Sequence, residues 1–162
     1  MEWTQQLGVI AGTGIAMLLS GTIGFERELR DRPAGFRTHM LVGGAAALLV
    51  GLGVLVLGDQ AALVDGGAGR LRIDPLRLVE AVIAGVAFIG AGSIFARRGR
   101  GVAGITTAAS LLMVAVIGIA CGFGYYLLAT AATALTLVVL VLLGFAERVL
   151  DQRRVRGPGR EK

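Results

Sequence analysis

Three groups of residues carry the chain's capacity for chemistry, and each stands beside an apolar tract. The first is Glu26 with Arg37, Thr38 and His39, either side of a charged connection that also holds Arg27, Glu28, Arg30, Asp31 and Arg32. A carboxylate and an imidazole in that setting could exchange protons or bind a cation. An arginine at the same edge is accounted for by snorkelling to the headgroups. The second group, Thr106, Thr107 and Ser110, opens a later tract, and Thr106 and Ser110 share a helical face at i, i+4. Their hydroxyls either bond back to helix carbonyls or offer oxygen ligands. Gly90 and Gly92 precede them, and glycine there admits a second backbone or leaves carbonyls facing a cavity. The third group is Asp74, Arg77 and Glu80. Arg77 and Glu80 share one face, as a structural pair or as an intramembrane carboxylate marking an outer entrance. Hard divalent cations prefer oxygen ligands, so Glu26 and Glu80 are the carboxylates assigned to a metal, if one binds.

Other chemistries are poorly supplied. One cysteine and one histidine allow neither an intramolecular disulfide nor a thiolate–imidazole metal cluster, and Cys121 reads as a small buried hydrophobe. Gly99 to Gly104 matches G-x-G-x-x-G, but an apolar tract precedes it and no acid follows until Glu147. The strand and ribose-binding acid of a dinucleotide site are therefore missing. Ser93 with His39 would make a hydrolase only within hydrogen-bond reach, which spacing does not provide. No catalytic residue is assigned, and the chain is read as not an enzyme.

The elements that position these groups follow from the charges. Of 162 residues, 55% are hydrophobic and 17% charged, and the mean hydropathy is +0.76. Soluble domains carry about 25% charged residues. Here the charges are grouped, leaving uncharged runs at 3–25, 38–58, 81–96 and 101–146. About 20 apolar residues cross a bilayer as a helix, and the last run holds two crossings with a hairpin at Cys121–Gly124. The expected fold is all-α: a polytopic membrane bundle of about five helices, near 5–25, 38–58, 76–96, 103–122 and 124–145. Residues 1–146 form the transmembrane domain and 147–162 a basic tail. Thirteen of the sixteen Lys and Arg residues fall in the connections after spans one and three and in the tail. That asymmetry places those segments in the cytoplasm and the N-terminus outside. Trp3 reads as an interface anchor, and the loop at 59–74 as flexible. On this topology Glu26, Arg37, His39, Gly90, Gly92, Thr106, Thr107 and Ser110 converge on the cytoplasmic half as a shared polar pocket. Twenty-six glycines, with small-xxx-small pairs such as Gly8/Gly12, Gly43/Ala47/Gly51, Ala81/Gly85 and Gly118/Gly122, favour close helix packing. A homodimer and a membrane-protein partner reached through residues such as Gly118 are expected. The basic residues form no face interleaved with aromatics, which argues against nucleic acid.

Four blocks resemble the MgtC/SapB family of bacterial inner-membrane proteins. They are Gly24-Phe25-Glu26-Arg27-Glu28, the run from Ala34 to Val42, Asp74 to Ala81 leading through Gly85 into Phe88-Ile89-Gly90-Ala91-Gly92, and Gly104 to Ser110. The resemblance implies about five spans, a link to magnesium limitation and, in pathogens, to virulence through survival inside macrophages. It also implies regulation of other membrane machines, the ATP synthase among them. It carries over Glu26, Arg37, His39, Asp74, Arg77, Gly90, Gly92, Thr106, Thr107 and Ser110 by position. Some members add an ACT-like domain after the spans, and this sequence is similar to the short form.

Overall fold

The computed structural model describes residues 3–63, 74–95 and 104–155. Five helices follow one another: α1 Trp3–Leu29, α2 Phe36–Leu63, α3 Pro75–Phe95, α4 Ile105–Gly122 and α5 Tyr126–Val155, with no strand among the described residues. The first four are long and apolar enough to cross a membrane, and α5 is apolar over Tyr126–Leu142. At about 1.5 Å per residue, that stretch covers the lower end of the thickness a spanning helix needs. The chain is an all-helical, multi-pass membrane protein.

Successive helices run up and down, so the α1–α2 turn, the start of α4 and the ends of α3 and α5 share one end of the bundle, here the near end. Contacts fix this arrangement. Gly24 of α1 lies against Phe36 and His39 of α2, Gly90 of α3 against Ala108 of α4, and Arg30 against Gly144 of α5. The far end holds the start of α3 and the α4–α5 hairpin. Asp74 starts α3 there, its Oδ1 accepting the Leu76 N–H at 2.9 Å, with Pro75 in the first turn where its missing N–H does no harm.

α4 is the centre, touching all four other helices and burying Leu111, Val114, Ala115, Ile117 and Cys121. Among the described residues, α3 meets only α2 and α4, and α5 only α1 and α4. Small residues let the backbones close. A β-carbon on Gly122 would sit 2.7 Å from the Ala47 carbonyl oxygen, and one on Gly118 would strike Gly43 and the Ala46 methyl. Val9, Met17 and Ser20 of α1 fill the space over Gly51, Gly44 and Gly43. Without water to exclude between lipid-bathed helices, such close packing carries their association. Gly118 is therefore spent on the α2–α4 contact within the chain, which corrects its expected place at a partner surface.

Helix limits differ from the expected spans where polar residues are good helix formers. α1 continues through Glu26-Arg27-Glu28-Leu29. α5 continues to Val155, nine residues into the segment expected as a tail, because Ala146 to Val155 contain neither Gly nor Pro. The rest of that tail, 156–162, most of the 59–74 loop and Arg97, Arg98 and Arg100 lie outside the described residues.

Candidate functional site

The near end brings together an ionic cluster and a hydrogen-bonded relay. The turn between α1 and α2 is built to aim them. Asp31 adopts φ 52°, a left-handed conformation that aspartate tolerates, while its N–H and that of Arg32 return to the Glu28 and Arg27 carbonyls. Glu28 Oε2 accepts the Phe36 N–H at 2.7 Å, a carboxylate placed on the positive end of α2. Gly35 fits closely, since a β-carbon would lie 2.7 Å from that same carboxylate oxygen and would push the Glu28 carboxylate aside. Gly24 must also be small, because a β-carbon there would lie 2.8 Å from the His39 Cβ. Phe25 and Phe36 meet edge to face outside this joint.

His39 is fully buried. Its Nδ1 lies 2.9 Å from the Gly35 carbonyl oxygen and its Nε2 3.0 Å from Ser110 Oγ, while Ser110 donates to the Thr107 carbonyl at 2.8 Å. Proton bookkeeping constrains this relay. A carbonyl only accepts, so Nδ1 must carry a proton. Ser110 has one proton to give. If it goes to Thr107, Nε2 must donate and the ring is an imidazolium. If it goes to Nε2, the ring is neutral and the bond to Thr107 is released. A change of proton at His39 is thus coupled to rotation of one hydroxyl on α4.

Glu26 and Arg27 of α1 act electrostatically on this ring. Glu26 pairs with Arg30 at i, i+4 and with Arg27 at 3.9 Å, and its side chain is 12% exposed. Arg27 is buried. The Arg30 guanidinium reaches across to Gly144 of α5, where any side chain would displace it. Three helices and the turn therefore converge on one carboxylate, one imidazole, two guanidiniums and two hydroxyl residues.

The residues singled out from sequence divide clearly. His39, Thr107 and Ser110 meet, Glu26 stands beside them, and Gly90 packs on Ala108 with a β-carbon clearance of 3.3 Å. Thr38 is partly buried and Arg37 exposed. Thr106 turns away from His39, exposed beside a groove of about 360 Å³ between α4 and α5, whose wall also includes Ser110, Met113 and Thr136. Gly92 faces open space, and Asp74, Arg77 and Glu80 are exposed at the far end. Sequence reasoning treated Arg27 and Arg30 as loop charges and missed their hold on Glu26, although the Glu26/Arg30 spacing signals it. It also missed Ser20, fully buried with no hydrogen-bond partner for its hydroxyl. A lone serine in an apolar run gives no such signal.

Magnesium demands near-octahedral oxygens and surrenders water reluctantly. Here Glu26 is engaged by two arginines, Ser110 is engaged with His39 and Thr107, and Glu80 is at the opposite end. Among the described residues no three His, Cys, Asp or Glu side chains gather. The residues present do not fit a resident magnesium ion.

Comparison with known proteins places this architecture. The MgtC family model matches residues 14–149. The chain is 36% identical over 156 residues to Protein MgtC of Brucella abortus (strain 2308), covering 96% of this chain and 60% of that protein. It is 38% identical over 126 residues to "Putative magnesium transporter YhiD" of Escherichia coli (strain K12), covering 78% and 56%. It is 31% identical over 156 residues to Protein SapB of Bacillus subtilis (strain 168), covering 96% and 65%. The chain thus spans between 56% and 65% of the length of these curated relatives. No solved structure matches it. The family match takes in part or all of each of the five helices and both halves of the near-end cluster: the chain belongs to the MgtC family.

Proposed function

We propose that the chain is a non-enzymatic protein of the bacterial inner membrane, linked to magnesium homeostasis, that regulates another membrane protein through its near end. The observation that carries this reading is the relay from Gly35 through His39 and Ser110 to Thr107, flanked by Glu26 and closed by arginines. His39 and Ser110 bond to one another and to backbone carbonyls, and Glu26 is held in ion pairs by Arg27 and Arg30, which suits a proton-responsive joint between α1, α2 and α4 better than a passage for ions. The excess of Lys and Arg supports a cytoplasmic near end, with the N-terminus outside and the C-terminal segment inside. Gly8, Gly14, Gly85 and Gly92, which meet nothing within the chain, leave close-approach surface that supports assembly as a homodimer.

A second reading, transport of magnesium as cargo, draws on the name of the Escherichia coli relative. On that reading Asp74 and Glu80 attract the cation at the far end, and Glu26 meets it at the near end. Proteoliposomes with a magnesium gradient and a trapped magnesium-sensitive dye separate the two. The regulatory reading expects influx equal to that of empty vesicles. Influx above that level, reduced by Glu26→Gln or Glu80→Gln, would replace it with the transport reading.

A further inference from the structure

We propose that the outward face of α3 is the surface on which two copies of this chain pair, a proposal that rests on the homodimer reading above. Of the four helices long and apolar enough to cross a membrane, α3 is the least enclosed: 11% of its apolar window is buried, against 50% for α4. Its inward face is set by Val82, Val86 and Gly90, which are buried, and by Leu78, which lies on Gly53. Directly opposite run Arg77, Ala81, Ala84, Phe88 and Ala91, all exposed, with Glu80 beside Arg77. Their steps of four, three, four and three residues keep one line facing a partner helix that crosses at a shallow left-handed angle.

Lipid alone is a poor occupant of this line. Arg77 and Glu80 are exposed within the first two turns of a membrane helix, and no ion pair joins either to another described residue. Arg77, in the first turn, reaches the headgroups by snorkelling, but the shorter Glu80 lies one turn deeper, and a carboxylate turned towards hydrocarbon is costly unless paired. A twofold axis along the membrane normal sets two α3 helices parallel and makes every contact reciprocal. Arg77 and Glu80 are about 4.5 Å apart along the axis. Arg77 of each copy then reaches Glu80 of the other, so the two opposite charges on one helix form two pairs across the dimer. Below them the Phe88 ring, 83% exposed, occupies the room left by the alanines one turn either side of it. The face is complementary in charge to itself.

Single cysteines introduced at Ala84, Phe88, Val82, Leu18 and Leu127 in native membranes test this by oxidative crosslinking. Native Cys121, 1% exposed, stays silent. The expected result is covalent dimer from positions 84 and 88 and none from inward position 82. Dimer joined instead through 18 on α1 or 127 on α5 overturns the α3 surface and leaves the homodimer standing. A monomeric mass in lipid nanodiscs overturns both. Charge gives an independent readout. Arg77→Glu makes the line all-acidic and Glu80→Arg makes it all-basic, and each alone lowers the dimer fraction about tenfold by like-charge repulsion. Co-expressed, the two variants recover a mixed dimer, which a defect confined to one chain does not do. Failure of the mixed dimer to form sinks the reciprocal pairing.

Discussion

Ser110→Ala isolates the one contact that, among the described residues, joins α2 to α4 through side-chain polar atoms at the near end. It removes the oxygen 3.0 Å from His39 Nε2 and leaves that nitrogen without its partner in a fully buried site. An unsatisfied buried polar group costs about 1–3 kcal/mol in proteins generally. Hydrogen bonds between membrane helices average a smaller ~0.6 kcal/mol, with a maximum near 1.7, because the unfolded chain in lipid finds other partners. The ring here is shielded within the bundle, and its Nδ1 is already committed to Gly35. The expected coupling is therefore towards the upper part of that range, about 1–1.5 kcal/mol, or roughly tenfold in the folding equilibrium constant. A double-mutant cycle of Ser110→Ala and His39→Leu, read by reversible unfolding in mixed micelles, measures it directly. The same bookkeeping fixes the neutral tautomer as Nδ1–H, visible in ring nitrogen NMR. A coupling below about 0.3 kcal/mol, the level expected of independent sites, would refute the relay. So would a neutral ring protonated on Nε2.

Three further perturbations test the surrounding frame. Gly118→Leu drives a side chain into the Gly43 backbone and should cost about 3 kcal/mol by overpacking. Gly8→Leu, which meets nothing within 4 Å, should stay within about 0.5 kcal/mol of the parent; both are read as detergent unfolding midpoints. Glu26→Gln leaves Arg27 and Arg30 facing each other and should destabilise by about 3 kcal/mol, whereas Arg30→Gln should cost less because Arg27 still pairs with Glu26. Cys121 should resist a membrane-permeant maleimide in the folded protein and react fully once SDS unfolds it; rapid native labelling would contradict its place on the buried face of α4.

Much of this arrangement was legible because hydrocarbon sorts charge so strongly. The gaps between Glu26 and Arg37 and between Gly104 and the charges before it marked helix ends, and alternation alone put His39 and Ser110 at one end. Which of two adjacent threonines faces inward was not legible. Thr107 is 1% exposed and Thr106 exposed, yet α4 is apolar all round, so no polar face sets its rotation. The roles of Gly24 and Gly118 were hidden for a related reason: among many glycines, only the fold reveals which ones another backbone approaches. The extension of α5 is not legible in the charge pattern, because a basic segment after an apolar run reads as a tail, although arginine and glutamate are good helix formers.

The most direct measurement is growth at limiting magnesium of cells lacking the chain and supplied with Ser110→Ala or His39→Gln, with membrane abundance quantified in parallel. The near-end reading predicts that growth fails while the variant remains in the membrane at the parent's level. Growth equal to the parent at equal abundance would contradict it.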